Sequence, residues 1–338
     1  MRPLTLRRLL WTCGSLVAVL LVLIVLVLRL GPAPISVTEL VMNLGRMAIG
    51  RINQLPADDQ LIVFGIRLPR ILLGVMVGAS LSVAGASFQA LLRNPLADPY
   101  VLGVSSGSAT GALIAMMVAP QFALATPLAA FLGAVLTITG VYFLGLRDGN
   151  LDSTTLLLGG IISASFLSSV IMFLLTLSPR DLRGMPFWLM GDLSTPPVSE
   201  LQWIFLVGLI VGIGAIYTTA ADLNLLLTGE REAAHLGVEV TRVKLVVYVA
   251  ASLLTALAVS ASGAIGYIGL LVPHAMRFLF GSDYRILIPT SALGGAIAIV
   301  AADALARTVA APTELPVGAV TAIAGAPIFI YLLRRRMR

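Results

Sequence analysis

Side chains that could do chemistry are scarce in this 338-residue sequence. No aspartate or glutamate occurs between Asp98 and Asp148, a stretch long enough to cross a membrane twice. The single lysine, Lys244, follows Val243, whereas a phosphate-binding loop needs its lysine after a glycine-rich turn. One cysteine, Cys13, excludes an intrachain disulfide and a multi-cysteine metal site. These residue types predict no catalytic residue, no metal site and no nucleotide site in this chain.

The composition indicates a membrane protein. Apolar residues make up 58% of the chain and charged residues only 11%, with a mean hydropathy of +1.00 and a formal charge of +6. Charged residues usually make up about a quarter of a soluble domain. So little polar surface excludes a soluble enzyme, a secreted domain and a nucleic-acid-binding protein.

Apolar stretches long enough to cross a bilayer recur along the whole sequence. A helix needs about 20 apolar residues to span the hydrocarbon core. Eight stretches meet this length, and 243–280 could hold two shorter, glycine-interrupted helices. The eight are 9–30, 71–92, 98–118, 123–146, 154–177, 200–220, 286–303 and 317–333. The sequence therefore predicts an all-α polytopic membrane protein with about ten transmembrane helices, in which residues 1–338 form a single domain.

The distribution of basic residues predicts the orientation. With ten spans and the amino terminus inside, the inner segments hold 14 basic and 8 acidic residues, while the outer segments hold 8 of each. An excess of arginine and lysine marks cytoplasmic loops. Both termini are therefore predicted to be cytoplasmic, and residues 221–242 form the longest inner segment after the termini.

The scarcity of charge within the spans bears on the energy source. Ion-coupled carriers usually keep ionisable groups near the middle of the membrane, where the coupling ion binds. An ion-coupled secondary transporter is therefore disfavoured, although sodium can bind to backbone and hydroxyl oxygens alone. A membrane scaffold without transport activity is a further alternative.

Four motifs carry specific information. They are Arg67-Leu-Pro-Arg70, the segment from Arg93-Asn-Pro to Gly107, the segment from Gly266 to Arg277, and the segment from Glu314 to Pro327. In the second motif, Asn94-Pro95 and Asp98-Pro99 each break a helix, because a residue before proline avoids the helical region. This motif predicts a tight inner hairpin followed by a closely packed helix start at Gly103.

From about residue 60 to the end, these motifs closely resemble the permease subunits of ATP-binding-cassette importers for ferric siderophores, haem and cobalamin. The resemblance implies ten helices per subunit and a pathway at the interface with a second copy of the chain. It also implies two ATPase subunits on the cytoplasmic side, which bind the ATP and magnesium. A periplasmic binding protein would deliver the metal-chelate cargo to the outer side of the bacterial inner membrane. No cofactor is expected on this chain.

The inner segment matches the family's coupling helices. Thr228 is an acceptable helix N-cap, and acidic residues suit the first turn of the helix that follows. Ala233, Ala234 and Leu236 offer an apolar knob for a partner's cleft; a solvated linker is the alternative. The residues expected to couple to the ATPase are Gly229, Glu230, Glu232, Ala233, Ala234, Leu236 and Gly237.

Three arginines match the positions at which the family meets acidic side chains of the binding protein. They are Arg67, Arg70 and Arg307. Arginine suits this role because its planar fork pairs bidentately with carboxylates. The alternative is that these arginines only extend from helix ends toward the membrane surface.

Two further pairs follow from the resemblance. Ser153 and Thr154 match the cytoplasmic gate on the two-fold axis, although ordinary helix capping would also explain them. Arg180 and Arg183 lie at the outer mouth of the pathway and could contact cargo carboxylates, unless neighbouring charge neutralises them. The expected function is import of a bulky metal chelate by alternating access. Haem or a ferric siderophore is favoured as cargo, and cobalamin is possible.

Overall fold

The computed structural model describes residues 5–30, 61–147, 150–177, 184–196 and 198–336. Over these residues the chain is almost entirely helical, apart from a two-residue β-ladder that pairs β1 (Leu146–Arg147) with β2 (Asn150–Leu151). A π-helical segment, Leu61–Arg67, leads into α2, and a short 3-10 helix, Pro99–Leu102, precedes α3. The α-helices are α1 (Leu6–Arg29), α2 (Leu68–Leu91), α3 (Val104–Val118), α4 (Ala125–Gly145), α5 (Ser153–Leu177), α6 (Gly184–Leu189), α7 (Ser199–Thr218), α8 (Ala220–Leu226), α9 (Glu230–His235), α10 (Val240–Ser262), α11 (Ile268–Phe280), α12 (Tyr284–Thr308) and α13 (Val317–Arg336).

Ten of these helices correspond to the predicted membrane spans. Seven are long and apolar enough to cross a membrane, α2 being counted with its π-helical segment, and three shorter apolar helices lie in α3, α11 and α13. The predicted all-α polytopic fold is therefore confirmed, and the chain is a multi-pass membrane protein. One boundary differs: α10 has 23 residues and begins at Val240, inside the segment expected to be an inner loop.

Hydrogen bonds between helix ends define two opposite ends of the bundle. At one end, called proximal here, Arg8 near the start of α1 donates to the carbonyl of Phe280 at the end of α11, at 2.6 Å. There, Asn224 of α8 also donates to Asp283 before α12, at 2.8 Å. At the opposite, distal end, the amide of Val317 at the start of α13 donates to the carbonyl of Gly191. The ten helices thus run alternately from the proximal to the distal end and back.

The centre of the bundle is α2, which is buried along nearly its whole length. It packs against α10, α11 and α12. Small residues make this close approach possible: a Cβ at Gly78 would overlap the carbonyl oxygen of Gly295 on α12. A Cβ at Gly85 would overlap the carbonyl oxygen of Gly269 on α11. Small residues at such interfaces let helix backbones touch in lipid, where apolar burial alone does not drive association.

The chain after α2 confirms the predicted break. α2 ends at Leu91, the turn continues to Asp98, and the Asp98 carboxylate caps the 3-10 helix by accepting from the amide of Tyr100 at 2.9 Å. Gly103 adopts a φ of +77°, which glycine tolerates, and starts α3. A Cβ at Gly107 would overlap the Thr137 side chain of α4. The proline and glycine spacing therefore sets both the hairpin and its close packing.

We expect Gly85→Ala to destabilise the bundle, because the added methyl meets backbone that cannot rotate away. Overpacking of this kind costs about 1–3 kcal/mol. Gly140→Ala in α4 is the matched control, since a Cβ there meets nothing within 4 Å. Thermal unfolding in detergent should show a lower midpoint for the first variant and an equal or higher midpoint for the second. Equal midpoints for the two variants would contradict the packing argument.

Candidate functional site

The predicted coupling segment folds into two short helices at the proximal end. α8 continues almost directly from α7, and α9 follows after a turn at Gly229. The side of α9 that faces away from the bundle ends in an exposed group consisting of Ala234, His235, Leu236 and Gly237. Leu236 is 64% exposed. An apolar side chain held out in this way on a short helix suits insertion into a groove of a partner.

One of the predicted coupling residues, Ala233, faces the chain itself. Ala233 is fully buried, so it anchors α9 to the bundle and is not part of an exposed knob. This corrects the expected arrangement; Ala234 and Leu236 remain exposed. The helical repeat explains the difference, because adjacent positions on a helix point about 100° apart.

The start of α9 also differs from the prediction. The Thr228 hydroxyl donates to the carbonyl of Leu225 at 2.7 Å, and Gly229 occupies the N-cap position with a φ of +138°. The Glu232 carboxylate lies where a Cβ of Gly229 would be. Gly229 is therefore required by its backbone conformation, and the prediction of Thr228 as the cap is wrong.

Glu230 connects α9 to two other elements. Its carboxylate pairs with Nζ of Lys244 on α10, and Nη2 of Arg93, in the turn after α2, lies 3.7 Å away. Lys244 also donates to the carbonyl of Leu151 in β2 at 2.9 Å. The coupling segment is thus tied to the end of α2 and to the chain that enters α5.

The predicted gate residues lie at the first turn of α5, close to this junction. The Ser153 hydroxyl donates to the carbonyl of Leu91 at the end of α2, at 3.2 Å, while the Thr154 side chain is exposed. Asp152 accepts from both the amide and the hydroxyl of Thr155, at 2.8 and 2.6 Å, and so acts as the cap. Ser153 fastens α5 to α2, and Thr154 is the hydroxyl that faces outward.

α5 packs on one side only. It contacts α3, α4 and the 3-10 helix, and its buried residues are Leu156, Gly159 and Gly160. Its remaining surface carries exposed large apolar side chains, namely Leu158, Ile161, Ile162, Phe166, Met172, Phe173 and Leu177. This one-sided apolar helix could line a pathway or meet a second copy of the chain.

Close to the α8–α9 surface, Asp283 fixes the start of α12. It accepts hydrogen bonds from the Arg285 side chain, the Arg285 amide and Asn224. The bond from the Arg285 side chain is the main cause that lowers the pKa of Asp283 to about 2. The carboxylate is therefore charged at neutral pH and holds α8 to α12.

At the distal end, two of the three predicted docking arginines form a buried ionic network within the chain. Nη2 of Arg70 lies 2.9 Å from Asp303, and Nη1 lies 2.9 Å from Glu314. Nε of Arg307 lies 3.1 Å from the other Asp303 oxygen. The arginines were expected to present themselves to a partner, whereas the structure buries both; Glu314, with a side chain 42% exposed, is the member that reaches the surface.

The third arginine, Arg67, donates to a backbone carbonyl. Arg67 is buried at the junction of the π-helical segment and α2, and its Nη1 donates to the carbonyl of Leu28 at 2.7 Å. It therefore connects α2 to α1. Arg180 and Arg183 lie outside the described residues.

Sequence reasoning missed the partners of these charges. Asp303 and Arg307 stand four residues apart on α12, a spacing that favours ion pairs on a helix and that could have revealed them. Glu314 lies within one of the four motifs, but the motif gives no sign of its ion pair with Arg70. The sequence around Lys244 likewise gives no sign of its ion pair with Glu230.

A cavity of about 310 Å³ opens near the distal end. It lies between α3, α4, α7 and the turn after α6, and Trp188, Asp192 and Met116 are among its lining residues. The Asp192 amide donates to the carbonyl of Ser262, so the end of α10 positions this turn. The cavity is mixed in character and larger than a single water site requires.

Comparisons with known proteins agree with this architecture. Residues 19–335 match the FecCD transport family. The cobalamin import system permease protein BtuC of Halobacterium salinarum is 45% identical over 281 residues, which cover 83% of this chain and 75% of that protein. The hemin transport system permease protein HmuU of Yersinia pestis is 41% identical over 284 residues, covering 81% and 84% respectively.

A solved structure has the same fold, and it is described as an inward-facing conformation of a metal-chelate type ABC transporter. It superposes with a TM-score of 0.82 at 30% identity and covers 96% of this chain and 99% of its own. The family match extends over most of the sequence, and the relatives exceed 30% identity over more than two thirds of it. The chain therefore belongs to the FecCD transport family and is related to the permeases of ABC importers.

Proposed function

We propose that the chain is the permease subunit of an ATP-driven importer that carries a bulky metal chelate from the periplasm to the cytoplasm across the bacterial inner membrane. The observation that carries this proposal is the exposed end of α9, a short helix anchored beside the start of α5. A partner that binds α9 would act close to Ser153 and Thr154.

The proposed partners divide between the two ends. Two ATPase subunits bind the proximal end, which is cytoplasmic, and hold the ATP and magnesium, so this chain is not itself an enzyme. Leu236 enters a groove of the ATPase subunit, and Glu232, Ala234 and Gly237 surround the contact. A periplasmic binding protein meets the distal end, and two copies of the chain enclose the pathway.

The proposed cargo class is the metal chelate. Relatives are named for cobalamin, for hemin and, in Bacillus subtilis, for Fe(3+)-citrate, which share a metal held in a bulky organic ligand. Haem or a ferric siderophore is favoured over cobalamin, because Arg180 and Arg183 at the predicted outer mouth suit an anionic chelate.

The proposed mechanism is alternating access. The exposed apolar side of α5 lines the interface between two copies and offers weak contacts to a large cargo, so that the cargo is not trapped. Thr154 of each copy closes the proximal end. ATP binding and hydrolysis on the partners move α9, and the two copies then open to one side or the other.

The central prediction concerns the energy source. We expect the chain, reconstituted in lipid vesicles with its ATPase partner, to import chelate only when ATP and the loaded binding protein are both present. Vesicles with an ATPase partner that binds but does not hydrolyse ATP are the control and should show no accumulation. Uptake driven by a proton or sodium gradient without ATP would favour an ion-coupled transporter instead.

The gate can be tested with cysteines, because Cys13 is the single native cysteine. In a Cys13→Ser background, we expect Thr154→Cys to form a disulfide between two copies and to lower uptake at least about tenfold until a reductant is added, since the first turns of α5 meet at the two-fold axis. Leu136→Cys, on the exposed side of α4, is the control and should neither cross-link nor respond to reductant. Uptake unaffected by a complete Thr154→Cys cross-link would remove the gate role.

We propose that the distal arginines contact the binding protein once the Glu314 carboxylate has left Arg70. Arg70 is already paired with Asp303 and Glu314, but Glu314 is partly exposed. A carboxylate of the binding protein could replace that of Glu314 while Asp303 keeps its place. Arg307 and Arg67 add positive charge around this position.

Two carboxylate variants separate docking from stability. Glu314→Gln should raise affinity for the binding protein about two- to fivefold, because Arg70 loses a competing partner whose pairing is weak. Asp303→Asn should instead lower the free energy of unfolding by about 3–5 kcal/mol, because buried Arg307 loses the carboxylate of Asp303 and Arg70 keeps only that of Glu314. Surface plasmon resonance and thermal unfolding measure the two effects. Unchanged affinity of folded Glu314→Gln protein would argue against the exchange.

A further inference from the structure

Lys244 is the one lysine of the sequence, and its side chain is only 5% exposed. It lies in the second turn of α10, at the proximal end of the bundle. A lysine at a helix end usually extends its ammonium group to water. Here the ammonium group turns into the protein, which is costly unless specific partners compensate.

The partners of Lys244 belong to separate elements. Nζ donates to the carbonyl of Leu151 and pairs with the carboxylate of Glu230 on α9. Leu151 is followed by Asp152, which caps α5. The Lys244 side chain therefore bridges α9 and the chain that leads into α5.

A second path closes a ring of contacts. Glu230 lies 3.7 Å from Arg93, which is two residues beyond Leu91. The carbonyl of Leu91 accepts the hydrogen bond from Ser153, the first residue of α5. Starting from α9, both paths arrive at the first turn of α5. A shift of α9 therefore cannot leave the start of α5 unaffected while these contacts hold.

A purely structural role would not need this chemistry. Well-packed apolar residues often replace a buried ion pair without loss of stability. The Glu230 side chain is 35% exposed, so water and a partner reach the acidic side of the pair while the lysine side stays buried. The Lys244–Glu230 ion pair can therefore be reached by water or a partner only from the α9 side.

We propose that Lys244 is a positioning residue that transmits displacement of α9 to the first turn of α5, and so links the partner's ATP cycle to the gate. This inference rests on the function proposed above. In this role Lys244 need not contact the cargo or the ATPase, since its side chain is buried within the chain. It acts because a single ammonium group holds Glu230 and the carbonyl of Leu151 together.

The first test compares uptake with ATP hydrolysis in the same vesicles. Lys244→Met keeps the length and apolar stem but removes the charge, and we expect uptake per ATP hydrolysed to fall at least about tenfold while hydrolysis continues. Glu230→Gln should lower this ratio as well, and the double variant should be no worse than the more affected single variant, because the two residues act as a unit. Arg242→Gln is the matched control: it removes an ion pair with Glu239 from the same end of α10, but its side chain is 78% exposed, and its ratio should equal that of the original protein.

The second test follows the motion directly and does not depend on activity. In the Cys13→Ser background, spin labels at the exposed positions Arg231→Cys and Leu158→Cys report on α9 and on the start of α5, each measured between the two copies. With the unmodified Lys244, ATP should change both distances. With Lys244→Met, ATP should change the α9 distance and leave the α5 distance fixed, which reduced stability alone would not produce.

The outcomes separate the two levels of proposal. If the original protein shows no ATP-dependent uptake, the proposed function fails. If the original protein transports but Lys244→Met keeps its uptake per ATP, or its α5 distance still responds fully to ATP, only the role of Lys244 is overturned. Should Lys244→Met not assemble, Glu230→Gln decides, since it leaves the bond from Lys244 to Leu151 in place.

Discussion

Backbone contact at Gly78 and Gly85 determines how closely α2 approaches its neighbours, and the rest of the bundle is arranged around that contact. In hydrocarbon, a helix gains little from hiding apolar side chains, so association depends on close packing and on polar contacts. Glycine supplies the closest packing available. With α2 enclosed by α10, α11 and α12, the helices at the periphery have one packed side and one exposed side.

The peripheral position of α5 gives the fold its functional asymmetry. A helix that packs on one side can tilt against its support without disturbing the centre. The supports of α5 are α3, α4 and the 3-10 helix. Its first turn, in contrast, is fixed by the hydrogen bond from Ser153 to the end of α2 and by the cap at Asp152. Motion in α5 is thus most constrained where the proximal contacts gather.

Buried charge in the described residues is confined to the two ends of the bundle. Arg70, Asp303 and Arg307 join α2 to α12 at the distal end, and Lys244 joins α10 to its neighbours at the proximal end. Both groups lie where water is near, so the cost of ionisation is smaller than at the middle of the membrane. In the described residues, the middle of the bundle is left to uncharged side chains, which agrees with the ATP-driven mechanism proposed above.

The sequence predicted the spans well because hydropathy is a property of each segment alone. The helix break after Leu91 was equally local, since proline sets it. Burial of Arg70 could not be predicted in this way, because its partners stand more than 200 residues away. The inward position of Ala233 depended on the direction from which α9 meets α10, which propensity does not specify. Only the Asp303–Arg307 pair carried a readable signal, its four-residue spacing.

The enclosed ammonium group of Lys244 has a practical consequence for chemical biology. Apart from the α-amino terminus, it is the one primary amine of the polypeptide, and its side chain is almost wholly shielded. Acylating reagents that target amines will therefore leave Lys244 of the resting protein nearly unmodified. Any ligand or nucleotide state that increases acylation of Lys244 must open this position, so an adduct mapped to Lys244 would report local opening without an engineered label.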